Sequence, residues 1–175
     1  MSIIWKVDPI HSAVQFKVKH LVISTVRGSF NQFDGTIVSE GEGFEGAKVT
    51  FSVDVSSIDT NMGDRDEHLR SPDFFDAEKY PELVFHSTSF EKNEIGDYLL
   101  TGHLSVKGVT EEVEFDVIFG GTAKDGYGNF KAGFEATTAI SRKAFGLTWN
   151  DVTEAGSVVV ADEVEILLSL QFIKQ

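Results

Sequence analysis

Apolar and polar residues alternate with period two along most of the chain, the pattern of strands that bury one face. Val14, Phe16, Val18 and His20 share a face, with Gln15, Lys17 and Lys19 opposite. The same rhythm groups Val49, Phe51, Val53 and Val55, then Leu83, Phe85 and Ser87, then Leu100, Gly102, Leu104 and Val106, then Val113, Phe115, Val117 and Phe119. Phe130, Ala132, Phe134, Ala136, Thr138 and Ile140 form a longer face, and Val164, Ile166, Leu168, Leu170 and Phe172 the last. A short strand at Trp5 to Asp8 and a long one from Val26 to Val38 bring the set to about eight substantial strands. The step from Phe30 to Phe33 breaks the period and predicts a bulge near Asn31-Gln32. Asp8-Pro9, the GEGFEG loop from Gly41 to Gly46, Gly96-Asp97, Lys107-Gly108-Val109-Thr110, Gly120-Gly121 and Asp125-Gly126 punctuate the pattern as turns and connections.

The segment from Thr60 to Pro81 departs from this rhythm. Asp64 to Arg70 reads as about two turns of helix, with Asp59, Thr60 or Asn61 as N-cap. Ser71-Pro72 ends it, because a residue before proline is pushed out of the helical region. Phe74, Phe75 and Tyr80 follow in an otherwise charged connection. The segment reads either as an excursion folded over a sheet and anchored by those rings, or as a long crossover loop with its own small core.

Tight turns between neighbouring strands predict an antiparallel, all-β fold, and the length fits one domain over residues 1–175. One apolar face per strand is buried by a sandwich or by a barrel. Glycines within the strands (Gly28, Gly35, Gly102, Gly133) favour the curved, closed barrel. At about eight strands a barrel interior either fills with side chains or holds one small ligand. The inner faces carry Phe16, Phe30, Phe33, Phe51, Phe85, Phe115, Phe119, Phe130, Phe134 and Phe172, out of 15 phenylalanines in the chain. These describe a packed core or the lining of an apolar cavity. Small residues on the same faces (Gly28, Gly102, Ala132, Ala136) would leave volume in the middle.

Charge and motifs narrow the function. The net charge is -13, from 28 acidic and 15 basic residues, which excludes a nucleic-acid partner and disfavours broad contact with anionic membranes. With no cysteine there is no disulfide, thiolate nucleophile or cysteine-bound zinc. No run approaches the roughly 20 apolar residues of a transmembrane helix. Asp8 and Pro9 come too early for a signal peptide, so a cytoplasmic location is expected. His11, His20, His68, His86 and His103 lack metal-ligand spacing, no GxSxG is present, and GEGFEG lacks the GK[ST] ending of a phosphate loop. No catalytic residue, metal or cofactor is expected. Arg65, His68 and Arg70 cluster on the short helix, and Arg27, Arg142 and Lys143 lie at strand ends or in connections. They read as surface ion pairs, or as a basic rim that holds the polar head of an amphiphile.

The chain resembles the YceI-like family of lipid-binding proteins. The resemblance rests on WKVDPIHSAVQFKVKHL at Trp5 to Leu21, VRGSFNQFDGTI at Val26 to Ile37 and SSIDTNMGDRDEHLRSPDFFDAEKYPELVFHST at Ser56 to Thr88. LTGHLSVKGVTEEV at Leu100 to Val113, ISRKAFGL at Ile140 to Leu147 and VADEVEILLSLQ at Val159 to Gln171 extend it. It implies an extended, lipocalin-like antiparallel barrel of eight strands with a short helix in a long crossover excursion. It also implies a pore for a polyisoprenoid or fatty amphiphile, no catalytic residues, and a homodimer. Many members carry a secretory leader, which is not expected here.

The expected function is therefore a carrier for one isoprenoid quinone, polyprenyl lipid or fatty chain. Phe16, Val18, Phe30, Phe51, Phe85, Leu104, Phe115, Phe134 and Ile166 are the expected lining. His20, Arg65, His68, Arg70 and Arg142 are the head-group candidates. A lipid-modifying enzyme using the same cavity and a filled, structural barrel are the alternatives.

Overall fold

The structure, a computed structural model, describes residues 2–21, 23–149 and 160–175. The alternating segments form β1 (Ser2–Val7), β2 (Ala13–His20), β3 (Ser24–Phe30), β4 (Phe33–Glu40), β5 (Lys48–Asp54) and β6 (Ile58–Asp59). After the helix α1 (Gly63–Arg70) come β7 (Glu82–Lys92), β8 (Tyr98–Val106), β9 (Val109–Lys124), β10 (Phe130–Ser141) and β11 (Val160–Lys174). Every pairing is antiparallel, and the order β1-β4-β5-β7-β8-β9-β10-β11 closes through a β1–β11 pairing into an eight-stranded barrel. The lipocalin-like barrel expected from the sequence is what forms.

Three barrel positions are interrupted strands, β1 with β2, β3 with β4 and β5 with β6, which lets short alternating segments build a tall wall. β1 and β2 lie end to end along one edge of β11, opposite Phe172 to Lys174 and Val160 to Ser169 respectively. Between them Asp8 caps a single 3-10 turn at Pro9–His11. Its carboxylate accepts from Ile10 N, from His11 Nδ1 at 2.7 Å and from Lys131 Nζ at 2.8 Å. Burial opposes ionisation of Asp8, but the bonds from Lys131 and His11 outweigh it and hold the carboxyl at about 2. β3 and β4 also run end to end, broken at Asn31-Gln32 where the bulge was expected. The Lys107-Gly108 turn joins β8 to β9 with both residues at positive φ, the two-residue hairpin that suits strand twist.

Four expectations are corrected. Val55 is not in the strand: β5 stops at Asp54, whose carboxylate accepts from Ser56 N and starts a 3-10 turn over Val55–Ser57. Val109 and Thr110 are not in the turn: Val109 pairs with Val106 and β9 begins there. Gly120-Gly121 is not a turn: β9 runs through it to Lys124. Phe119 faces Phe134 and Gly121 faces Gly133, so Gly120 is an extra, unpaired residue, and Gly121 takes φ +101. This is a bulge, for which glycine at positive φ is well suited. The helix cap is Met62, with no side-chain bond, rather than Asp59, Thr60 or Asn61. Asn61 turns left-handed with its N–H on Asp59 Oδ1, while the buried Asp66 reaches back to accept from Thr60 N and Oγ1.

The two barrel ends are closed differently. At one end the GEGFEG loop drives Phe44, only 2% exposed, between the rings of Trp5, Phe119 and Phe134, at centroid distances of 5.1, 5.5 and 5.1 Å. At the other end the 60–81 segment folds over the barrel. Its three aromatics hold it there: Phe74 is buried, Phe75 meets Phe30 edge-on, and Tyr80 lies against Gly108. Lys107 Nζ also donates to the carbonyl of Pro72.

Candidate functional site

Inside the barrel, rings and glycines are paired across strands. Phe16 faces Gly28 and Phe51 faces Gly35, and a Cβ on either glycine would lie 2.4 Å from the ring. A Cβ on Gly102 would lie 2.4 Å from the His86 carbonyl and 2.6 Å from Phe85 Cζ. Each ring therefore occupies the space a side chain on the glycine would need. The expectation that Gly28 and Gly102 leave empty volume is corrected, because Phe16 and Phe85 occupy it. Ala132 is also fully packed, and of the four small residues only Ala136 borders the deep arm inside the barrel. Phe130 is corrected too: it sits at the barrel rim, 37% exposed, against Trp5 and the Lys174 ammonium.

The interior is part core and part cavity. A deep arm of about 130 Å³ runs down the barrel axis, lined almost wholly by apolar side chains that include Phe51, Phe85, Phe115, Phe134 and Ala136. A wider chamber of about 410 Å³ lies between the barrel end and the helix segment. Phe16, Phe30, Leu83, Leu104 and Ile166 line both, so the two are adjoining parts of one site. The chamber lies within the range of pockets that hold small molecules. The exposed residues Met62 and Asp64 contribute to its wall, so it reaches the surface beside α1.

All nine residues expected to line a cavity do border it: Val18 in the chamber, Phe51, Phe85, Phe115 and Phe134 in the deep arm, and the other four in both. Four of the five head-group candidates, His20, Arg65, His68 and Arg142, border the chamber. Arg70 does not; its carbonyl accepts from Ala77 N as part of the turn that reverses the chain after α1. The chamber also has a second aromatic wall that sequence reasoning did not assign. Trp149 meets His68 edge-on at 4.7 Å and Phe74 at 5.3 Å, next to Phe75, Phe145 and Leu147. The dense aromatics after Ser71-Pro72 were the available signal for half of that wall.

The polar groups of the chamber are largely committed to the fold. Arg142 is 3% exposed and donates through Nε to Ala161 O, through Nη1 to Leu147 O and Trp149 O, and through Nη2 to Val160 O. Burial lowers its pKa from the usual guanidinium range, while the nearby Asp162 carboxylate opposes that shift. Asp162, held below the usual carboxylate range by Ser141 Oγ and Lys143 N, stays ionised beside it. Arg65 holds Thr60 through Nε to Oγ1 and Nη2 to the carbonyl, both 2.8 Å. His68 Nε2 lies 2.9 Å from Asp73 Oδ2. His20 has no side-chain partner among the described residues and faces the chamber. Among the described residues no cluster of three or more His, Asp or Glu side chains is arranged for a metal ion. The site offers a long apolar trough under a rim of few, mostly pre-paired polar groups.

Comparison with known proteins agrees with this architecture. The solved structure of BcnA from Burkholderia cenocepacia superimposes with a TM-score of 0.81 at 25% identity, covering 94% of this chain and 98% of that one. A polyisoprenoid-binding domain from Saccharophagus degradans, implicated in plant cell wall breakdown, shares the fold with a TM-score of 0.74 at 15% identity, over 98% of both chains. A UPF0312 protein of Pectobacterium atrosepticum is 36% identical over 165 residues, which span 94% of this chain and 82% of the relative. The YceI-like domain description matches residues 5–172, and the chain belongs to the YceI-like family.

Proposed function

We propose that this protein is a carrier that holds one long apolar chain, an isoprenoid quinone, polyprenyl lipid or fatty chain, inside its barrel. The observation that carries the reading is the continuity of the wide chamber with the deep arm, whose walls are almost wholly apolar. The tail enters the deep arm and the polar head stays in the chamber near His20 and Arg65. Each methylene withdrawn from water contributes about 0.8 kcal/mol, enough over several methylenes to outweigh the ordering of a flexible chain. The polyisoprenoid-binding description of the Saccharophagus degradans domain supports the ligand class through a shared fold.

The test is uptake. Protein stripped of lipid by organic extraction is refolded and titrated with a fluorescent polyprenyl probe, and the extract is read by mass spectrometry. A prenyl or acyl species near one per barrel, and saturable uptake lost in Phe134→Asp, are expected. An extract without such a species, together with no uptake by the stripped protein, refutes the carrier reading. A probe returned chemically altered supports a lipid-modifying enzyme instead.

A further inference from the structure

The acidic residues of this protein are not spread evenly. Between Asp8 and Asp34 the chain carries no Asp or Glu, so all 28 lie outside that stretch, which holds Lys17, Lys19 and Arg27. The fold turns this stretch into the β2–β3 hairpin. Lys17 and Lys19 are on its outer face, and Arg27 is directly opposite Lys17. Lys17 is paired with Glu165 at 3.2 Å, whereas Lys19 and Arg27 have no carboxylate partner among the described residues. Two like charges face each other across the strands, an arrangement unfavourable within the protein alone.

The tip of the same hairpin is apolar. Leu21 is 37% exposed and Ile23 is 88% exposed. Met62, 53% exposed, also lines the chamber. The inner faces of the hairpin, Val18, His20 and Val26, are walls of that chamber. An exposed apolar tip backed by cations is therefore built around the mouth of the apolar cavity.

We propose that the β2–β3 hairpin tip docks on an anionic bilayer surface and sets the chamber mouth against the lipid. The net charge of -13 repels the protein from such a surface in most orientations. The acid-free hairpin turns two cations without carboxylate partners among the described residues, Lys19 and Arg27, toward such a surface. Lys19 lies two residues behind Leu21 and Arg27 four behind Ile23, roughly 7 and 13 Å along the strands and so about one screening length at physiological salt. Their long side chains reach toward the headgroups while Leu21 and Ile23 enter the interface. The inference adds a partner to the carrier reading, but surface docking is measured without any bound ligand, so each can fail without the other.

The test is flotation of the full chain with phosphatidylcholine vesicles, with and without phosphatidylglycerol, at low ionic strength. Wild type floats with the anionic vesicles only, and added salt releases it. Reversing both unpaired cations (Lys19→Glu with Arg27→Glu) lowers the partition coefficient at least about tenfold, from roughly fivefold per basic residue at the surface. Ile23→Asp lowers it comparably. Ile95→Asp, equally exposed but in the β7–β8 turn at the plugged end, leaves it unchanged. Absence of wild-type flotation, equal flotation with neutral vesicles, or equal flotation of the hairpin variants overturns the proposal.

Discussion

Ala136 is the small residue that leaves room beside the deep arm, and replacing it separates packing from ligand binding. It is 4% exposed and faces Val117 on β9 and Leu168 on β11, both of which line the same arm. An empty apolar cavity of 130 Å³ corresponds to about 3 kcal/mol of missing packing at about 24 cal/mol per Å³. Ala136→Leu adds three carbons to that space, which contribute about 2 kcal/mol at about 0.8 kcal/mol each. For a chain of this length the stripped variant should melt about 4–8 °C higher than stripped wild type. The same carbons occupy the position of the tail, so uptake of a long prenyl probe should weaken while a short one is retained. Melting is followed by near-UV circular dichroism and uptake by probe fluorescence. A lower melting temperature would mean that the arm is already full. A higher one with unchanged affinity for the long probe would mean that the tail does not enter the arm. Either result refutes the reasoning.

Phe44→Ala removes the plug and its three ring contacts, and should cost about 3–5 kcal/mol in urea unfolding; the opened floor should extend the accepted chain length, read by competition within a prenyl series. Acid stability should follow Asp8. Its carboxyl lies at about 2 in the fold against an ordinary 3.8, a depressed value, so its contribution is complete above about pH 4 and is lost as pH falls toward 2. That contribution is about 2 kcal/mol, so Asp8→Asn should unfold at lower urea at neutral pH and converge with wild type near pH 2. Parallel curves across that range would show that the Lys131 and His11 contacts do not stabilise the fold.

Much of this fold was legible because a half-buried strand writes its burial into the sequence at period two. Leu100, Leu104 and Val106 could be placed inside without knowing what they touch. Features that depend on register were not legible. Gly28 looks like a gap until β2 and β3 are aligned and Phe16 is found over it. Gly120-Gly121 reads as a turn because the pattern along β9 does not show that β10 continues opposite. Phe44 is a single ring in a glycine-rich loop, with no periodicity to mark it, and becomes a plug only once the barrel closes beneath it. Arg142 sits at a strand end like any surface cation, and its burial follows from the carbonyls of Leu147, Trp149, Val160 and Ala161 converging on it. The cavity lining was read well and its polar rim less well, since apolar faces follow local pattern and hydrogen-bond partners do not.

The rings laid over glycines have a consequence for how such a barrel can evolve. Phe16, Phe51 and Phe85 line the cavity, and each lies over a glycine that admits no side chain while the ring is in place. A change at Gly35 must come after Phe51 has shrunk, and one at Gly28 needs both a smaller Phe16 and movement of Thr60, whose Cγ2 would lie 2.9 Å from the new Cβ; a shrunken ring leaves a hole until the glycine grows. Residues in contact couple in this way, so neither step is neutral alone. At Gly102 the His86 carbonyl bars a side chain as well, so that position stays closed even after Phe85 changes. The cavity wall is thus expected to drift in ordered steps at two sites and to remain fixed at the third, which makes ligand preference slower to change than the surface around it.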